Sequence, residues 1–389
     1  MTRPVRVLEL RCVKGTGGGP EKTILMGARR TNPRVAVTVC YIRDAADPDF
    51  SIGRRAADLA VEYVEVAERH ALDRGAWADL RRIVREREID IVHAHDYKTD
   101  ALALLLARSD GIIPLATAHG WTGHSPRERL LYYPLDKRLL AMFPRIIAVS
   151  TEIRAELIRC GVRPDRVQVV LNGIDPDAFR RQPGLERSAR AALGFVPGDV
   201  VIGSVGRLEP QKRFDLLIEA CSRLRERWPA LHLVIAGAGS CHAELEALAR
   251  ARLPNGVCRL LAHRSDIALL HHAFDLYVQS SDYEGTPNAV LEAMALETPL
   301  VATAAGGTTD IVRDGIDGLI VRCGDVDALA SAIDRALSNA PEIRDWARAA
   351  RLRTENELSF DQRMASVETI YLELAAALGT EGAAGDRCA

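Results

Sequence analysis

Residues 200–220 read VVIGSVGRLEPQKRFDLLIEA. The run VVIGSV is short, apolar and β-branched, as expected of a strand covered on both faces. Gly206 lets the backbone turn closely, and a helical pattern opens at about Gln211. Strand, glycine turn and helix make one βα unit. The unit recurs at LHLVIA (231–236), VCRLLAH (257–263), DLYVQS (275–280), PLVATA (299–304) and GLIV (318–321). The first half carries its own set: VRVLEL (5–10), VAVTVCYI (35–42), VEYVEV (61–66), IDIVHAH (89–95), IPLATAH (113–119), RIIAVS (145–150) and VQVVLN (167–172). Helical patterns fall between most of these runs, the signature of a parallel sheet wound on both faces by helices. Polar residues 172–199 separate the two sets.

The expected fold is therefore α/β, with two doubly wound Rossmann-like domains. At 389 residues the chain exceeds one ordinary core. We assign 1–185 to an N-terminal domain and 186–355 to a C-terminal domain. A helix over 356–377 is long enough to cross back to the first domain, and 378–389 has too few apolar groups to pack, so a disordered tail is expected.

Composition narrows the function. Hydrophobic residues make up 48% and charged residues 27%, and the net charge of −2 argues against bulk binding to nucleic acid. MTRPVRVLEL runs straight into a strand pattern and no run of 18 apolar residues follows, so a cytoplasmic protein is expected. The eight cysteines form no C-x-x-C pair and the ten histidines no H-E-x-x-H spacing, which gives no expectation of a protein-held metal.

Ligands of such folds sit at the carboxyl ends of the strands. There Arg207 and Lys212, five apart across a short loop, can meet an anion such as a pyrophosphate; the alternative is an ordinary turn with solvated charges. Gly237 and Gly239 in GAGS allow a second close approach. In SSDYEGTPNAVLEAM (280–294), Gly285, Thr286 and Asn288 place amides at the start of a helix, with Pro287 in its first turn. Glu284 faces the group beyond the phosphates. Glu292, set among apolar residues, can accept hydrogen bonds from a ribose diol; a salt bridge to an arginine is the alternative for either glutamate.

In the first half, RCVKGTGGGPEKT follows the first strand, with glycines at 15, 17, 18 and 19 and with Pro20 and Glu21 opening a helix. Pro20 stands where G-x-G-x-x-G requires its last glycine, which disfavours a dehydrogenase. His93, His95 and His119 each end a strand. RERLLYYPLDKRLLAMFPR (127–145) mixes basic and apolar residues, and either rests on an anionic membrane surface or packs on its own domain.

The set G-R-x-x-x-x-K, G-x-G, E-x7-E and GGTTDIVRDGIDGLIV, in this order and at these separations, resembles the retaining GT-B glycosyltransferases of family 4 (glycosyltransferases group 1). The resemblance runs from the glycine-rich start to the last helix. It implies two domains facing a central cleft, with a nucleotide-diphospho-sugar in the C-terminal one. By resemblance Arg207 and Lys212 bind the diphosphate, Glu284 contacts the donor sugar and Glu292 the ribose. His119 of HGW sits beside the donor sugar and bonds a sugar hydroxyl, and His95, Asp96 and Lys98 shape the acceptor side. The glycine-rich loop lies near both substrates, Gly17 and Gly18 toward the donor, Gly15 and Glu21 toward the acceptor. Gly306 and Gly307 line an adjacent loop, and Asp310 stands where the family often has Glu. Asn172 and Gly173 of LNGID match the closing element of the first domain, as hinge and structure.

The expected activity is transfer of a sugar to a hydroxyl acceptor, sugar or lipid-linked, in cell-surface polysaccharide or glycolipid assembly. No cofactor or metal is expected, since cations can neutralise the leaving diphosphate, and peripheral membrane contact is allowed. The competing readings are a nucleotide-sugar epimerase or hydrolase of the same fold and an inactive nucleotide-sugar-binding partner. Retention of Arg207, Lys212, Glu284, Glu292 and His119 together speaks against the last.

Overall fold

The computed structural model describes residues 3–15, 17–70, 73–121 and 128–385. Two parallel sheets account for the strands. The first contains β1 (Val5–Cys12), β2 (Val35–Asp44), β3 (Tyr63–Glu68), β4 (Ile91–Ala94), β5 (Ile113–Ala118), β6 (Arg145–Ala148) and β7 (Val167–Val169), in the spatial order β3-β2-β1-β4-β5-β6-β7. The second contains β8 (Val200–Val205), β9 (Leu231–Ala236), β10 (Cys258–Leu261), β11 (Leu276–Gln279), β12 (Leu300–Thr303) and β13 (Leu319–Val321), in the order β10-β9-β8-β11-β12-β13. All the strand pairings are parallel, with helices as the crossovers. Each expected strand is present.

Strand order reverses once in each sheet, between β1 and β4 and between β8 and β11. There the register pairs Val7 with Ile91 and Leu276 with Ile202. At such a switch point the two following loops turn in opposite directions and leave a crevice beyond the strand ends. The glycine-rich loop and His95 follow one pair; Gly206–Lys212 and Ser280–Thr286 follow the other. Gly203 in the middle of β8 is required by packing, because a Cβ there would lie 2.1 Å from the ring of Phe274.

The chain divides into two compact units, Met1–Val170 with Asp361–Ala389, and Leu171–Phe360. The first connection thus falls earlier than the expected 185/186. The reason lies in backbone pairing: Ile174 donates to Leu358 O at 3.0 Å, and Phe360 N donates back to Ile174 O at 2.8 Å. Gly173 has no room for a side chain, since a Cβ would sit 2.6 Å from Ser359 O.

The last helix, Phe360–Gly385, belongs to the first unit from Asp361 onward. Val367, Ile370, Tyr371 and Leu374 pack against Val7, Ile91, Ile113, Leu115 and Ile147 and cover one face of that sheet. The crossover expected from the sequence is therefore present and forms part of the core. Helical backbone continues to Gly385, past the 378 at which the tail was expected to begin. Residues 386–389 and Arg127 lie outside the described residues.

Candidate functional site

The second unit brings Lys212 and Glu284 together. Lys212 Nζ lies 2.5 Å from Glu284 Oε1, and that oxygen also accepts from Ser281 Oγ at 2.7 Å and Gln279 Nε2 at 3.3 Å. The two loops at the second switch point are thus tied to each other. The tie is doubled by Ser280 Oγ donating to Lys212 O at 2.9 Å and Asp282 N donating to Gln211 O at 2.9 Å. Arg207 is exposed, and its side chain makes no hydrogen bond or ion pair among the described residues. One cation is therefore available to an anion at this loop, and the other is held at its edge by a carboxylate.

The helix expected at Gln211 begins later. Residues Pro210–Lys212 form a 3₁₀ turn, Arg213 takes the left-handed conformation at φ 47°, and the α-helix spans Phe214–Leu224. Arg213 holds this corner by bonding Asp215 and Asp282, the latter at 2.8 Å. A left-handed arginine between two carboxylates has no plain sequence signal.

Gly237 and Gly239 are explained by backbone packing. A Cβ at Gly237 would stand 1.9 Å from Gly206 O, and one at Gly239 would stand 2.4 Å from Leu208 O. Leu208 N donates to Ala238 O at 2.9 Å and Cys241 N to Leu208 O at 2.8 Å, so the GAGS loop is zipped along the loop that carries Arg207. The close approach read from these glycines is to protein, not open space.

The helix Asn288–Ala295 starts where expected, with Pro287 as its N-cap. Glu292 is 7% exposed, as its apolar neighbours require. Tyr277 lies beneath, wholly buried; burial, then the charges of Glu284 and Glu292, push its hydroxyl pKa well up. The side chains of Thr286 and Asn288 are occupied by Asn172: its amide N donates to Thr286 Oγ1 at 3.2 Å and its Nδ2 to Asn288 Oδ1 at 3.3 Å. Gly307 N donates to Glu284 O at 3.3 Å, which sets the Gly306–Gly307 turn against the Glu284–Gly285 loop. Asp310 accepts from Arg353 through its backbone oxygen at 3.0 Å.

In the first unit the expected acceptor-side residues serve as supports. Asp96 caps the helix Tyr97–Asp110, accepting from Lys98 N and Thr99 N, and takes Cys12 N at 2.8 Å. Lys98 pairs with Glu68. Glu21, 1% exposed, bonds Gly18 N and Arg11; burial raises its pKa, but Arg11 and the Gly18 amide outweigh this and lower it. Gly15 sits at φ 64° with its N–H on Asp47, and a Cβ at Gly17 would strike the Glu21 side chain at 2.4 Å. The glycine-rich loop is therefore shaped around one buried carboxylate. His95 is buried and His119 half-buried, with His95 Nδ1 3.1 Å from His119 Nε2.

Glu9 was not singled out from the sequence, although it is the lone carboxylate in the apolar run VRVLEL. It is buried, and its two oxygens meet Tyr371 and His95. Glu9, His93 and His95 bring ligand-type atoms within 4.8 Å of one another. The ring nitrogens of both histidines already have protein partners, so the group is a closed hydrogen-bonded set as it stands.

Two family descriptions match the chain, Glycosyltransferase Family 4 over residues 17–178 and Glycosyl transferases group 1 over residues 186–353. The chain belongs to glycosyltransferase family 4. This glycosyltransferase is 30% identical over 356 residues to the D-inositol 3-phosphate glycosyltransferase of Mycobacterium marinum, covering 84% of this chain and 75% of that one. Its Mycobacterium tuberculosis (strain H37Ra) counterpart is 30% identical over 366 residues, covering 86% and 75%. Among solved structures, Anabaena HepE in complex with UDP and glucose superposes with a TM-score of 0.82 at 20% identity, covering 95% of this chain and 100% of that one. That likeness shows the GT-B fold of the glycosyltransferase. Among the described residues no helix is long and apolar enough to cross a membrane.

Proposed function

We propose that the enzyme transfers a glycosyl group from a nucleotide-diphospho-sugar to a hydroxyl acceptor with retained anomeric configuration. The observation that carries this reading is the pairing of Lys212 with Glu284 beside Arg207, whose side chain has no partner among the described residues, at the switch point of the second sheet. In the reaction the bond from the anomeric carbon to the β-phosphate oxygen breaks and a bond from the acceptor oxygen to that carbon forms on the same face. The acceptor's proton passes to the departing phosphate, and a nucleoside diphosphate leaves. Charge grows on the phosphate in the transition state, so Arg207, Lys212 and the amides of the Gly285 turn favour it over the ground state. Buried Glu292 supplies acceptor oxygens for the ribose, and Glu284, already fixed by three donors, faces the sugar. Crystals of HepE with UDP-glucose support this donor class. The cations replace a divalent metal, so activity survives a chelator.

The test is donor turnover with and without a panel of hydroxyl acceptors, the product's anomeric configuration being read by NMR. Acceptor-dependent turnover with retention is expected. Consumption of donor without acceptor would replace the transferase by a hydrolase or epimerase.

A second feature favours peripheral contact with membrane-borne acceptors. Around the helix Tyr133–Leu140, Leu130 is 81% exposed, Leu131 59% and Leu135 49%. Lys137 is not a free basic group, since it pairs with Glu156 and lies 4.5 Å over the Trp121 ring. The apolar side chains would therefore carry the contact. Leu130→Glu with Leu131→Glu is expected to abolish binding to anionic liposomes; no binding by the native enzyme would end this reading.

A further inference from the structure

The buried polar set of the first unit ends on His119, and its hydrogens can be placed from one end to the other. Tyr371 Oη, carried by the last helix, donates to Glu9 Oε1 at 2.6 Å. Its oxygen is in turn 2.7 Å from His93 Nδ1, and His93 Nε2 is 2.7 Å from Thr117 Oγ1. The other Glu9 oxygen faces His95 Nε2, and His95 Nδ1 faces His119 Nε2 at 3.1 Å. A carboxylate only accepts, so His95 must present N–H at Nε2. A neutral ring then offers a lone pair at Nδ1, and His119 must donate from Nε2. Burial pushes His95 down to about 4 and His119 down as well, which keeps both rings neutral near pH 7.

We infer that Glu9, acting through His95 and braced by Tyr371, holds His119 in the Nε2–H tautomer, so that its Nδ1 is a fixed hydrogen-bond acceptor for a substrate hydroxyl. Nδ1 of His119 has no hydrogen-bond partner among the described residues, and the ring follows the carboxyl end of β5. The three supporting groups are positioning residues; only His119 meets substrate. Fixing the tautomer in advance favours an incoming hydroxyl donor over groups that offer only lone pairs, and removes a reorganisation that binding would otherwise require. The last helix thereby has a role beyond covering the sheet, because it brings the Tyr371 hydroxyl to Glu9. The inference rests on the proposed glycosyl transfer and on the substrate-facing role that the family resemblance implies for His119.

The experiment is a two-bond ¹H–¹⁵N correlation spectrum of the full-length protein labelled in its histidines, near pH 7 and without ligand. Loss of one set of signals in His119→Asn assigns the ring. The native enzyme is expected to show His119 as a single neutral Nε2–H tautomer; an Nδ1–H tautomer or an imidazolium would overturn the inference. Glu9→Leu, provided its backbone spectrum remains native, should lose the single tautomer, and an unchanged one would also overturn it. Should Glu9→Leu not fold, kinetics supply the second arm. Asn at 119 can place its oxygen near the position of Nδ1, whereas Gln reaches toward Nε2. His119→Asn should therefore keep donor KM about 3- to 10-fold lower than His119→Gln, the worth of one neutral hydrogen bond. Equal KM values would refute it. The spectrum needs no substrate, so it can fail while glycosyl transfer stands, and the reverse.

Discussion

Replacing Lys212 by methionine keeps the length of the side chain and removes its charge. In the free enzyme Glu284 then loses its cation but keeps Ser281 Oγ at 2.7 Å and Gln279 Nε2 at 3.3 Å. Breaking a fully buried pair costs about 3–5 kcal/mol, and an exposed one about 0–1. Here the partners are 18% and 12% exposed and two neutral donors remain, so about 1–2 kcal/mol of stability is at stake. The catalytic loss is set by a different quantity. If Lys212 stabilises the charge growing on the leaving phosphate as one oxyanion donor does, about 2–4 kcal/mol of barrier is lost, roughly 30- to 1,000-fold in kcat. The assay is steady-state turnover at saturating donor, with thermal melting measured on the same samples. A fall in melting temperature with kcat within two-fold of the native enzyme would show that Lys212 only braces the loop, and would refute its catalytic assignment.

Two further consequences concern the second unit. His271 is wholly buried, with Nδ1 3.1 Å from Thr298 Oγ1, and burial pushes its pKa down to about 3. Below about 6.5 the unfolded chain gains a proton here that the folded chain refuses, so stability falls with falling pH by up to about 1.4 kcal/mol per unit. His271→Leu should therefore flatten the decline of urea midpoints between pH 6.5 and 4; an unchanged slope would exclude His271 as the cause. Gly239→Ala should cost about 1–3 kcal/mol by overpacking, because the new methyl meets the Leu208 carbonyl, and should weaken donor binding by moving the Arg207 loop. Unaltered melting together with unaltered donor affinity would contradict the zipped-loop account.

The parallel, doubly wound architecture was legible because VVIGSV and VRVLEL are short, branched and followed by glycine turns, whereas the order of the strands within each sheet comes from the structure. Glu292 was legible for a related reason, as a carboxylate in an otherwise apolar helix. What sequence did not disclose was tertiary competition for the same groups. Glu284 and Lys212 are 72 residues apart and meet only when two loops adjoin at the switch point. Asp96, Lys98 and Glu21 carried the right chemistry for a substrate contact but are engaged in capping and pairing within the first unit. Tyr371 lies 362 residues from Glu9, and a tyrosine in a long helix gives no local sign that its hydroxyl is buried against a carboxylate. The glycines of GAGS illustrate the same limit, since a residue without Cβ reports a close approach and not what approaches.

The central claim is that the second unit holds a nucleotide-diphospho-sugar through Arg207, Lys212, Glu284 and Glu292. It is tested most directly by thermal melting of the native enzyme and of Glu292→Ala with UDP, GDP, ADP and dTDP and their common sugar conjugates. A ligand bound only by the folded state at 100 times its Kd adds about 2.7 kcal/mol of stability. One nucleotide is expected to raise the melting temperature of the native enzyme and to leave that of Glu292→Ala nearly unmoved. No shift with any nucleotide, or equal shifts in both proteins, would contradict the account.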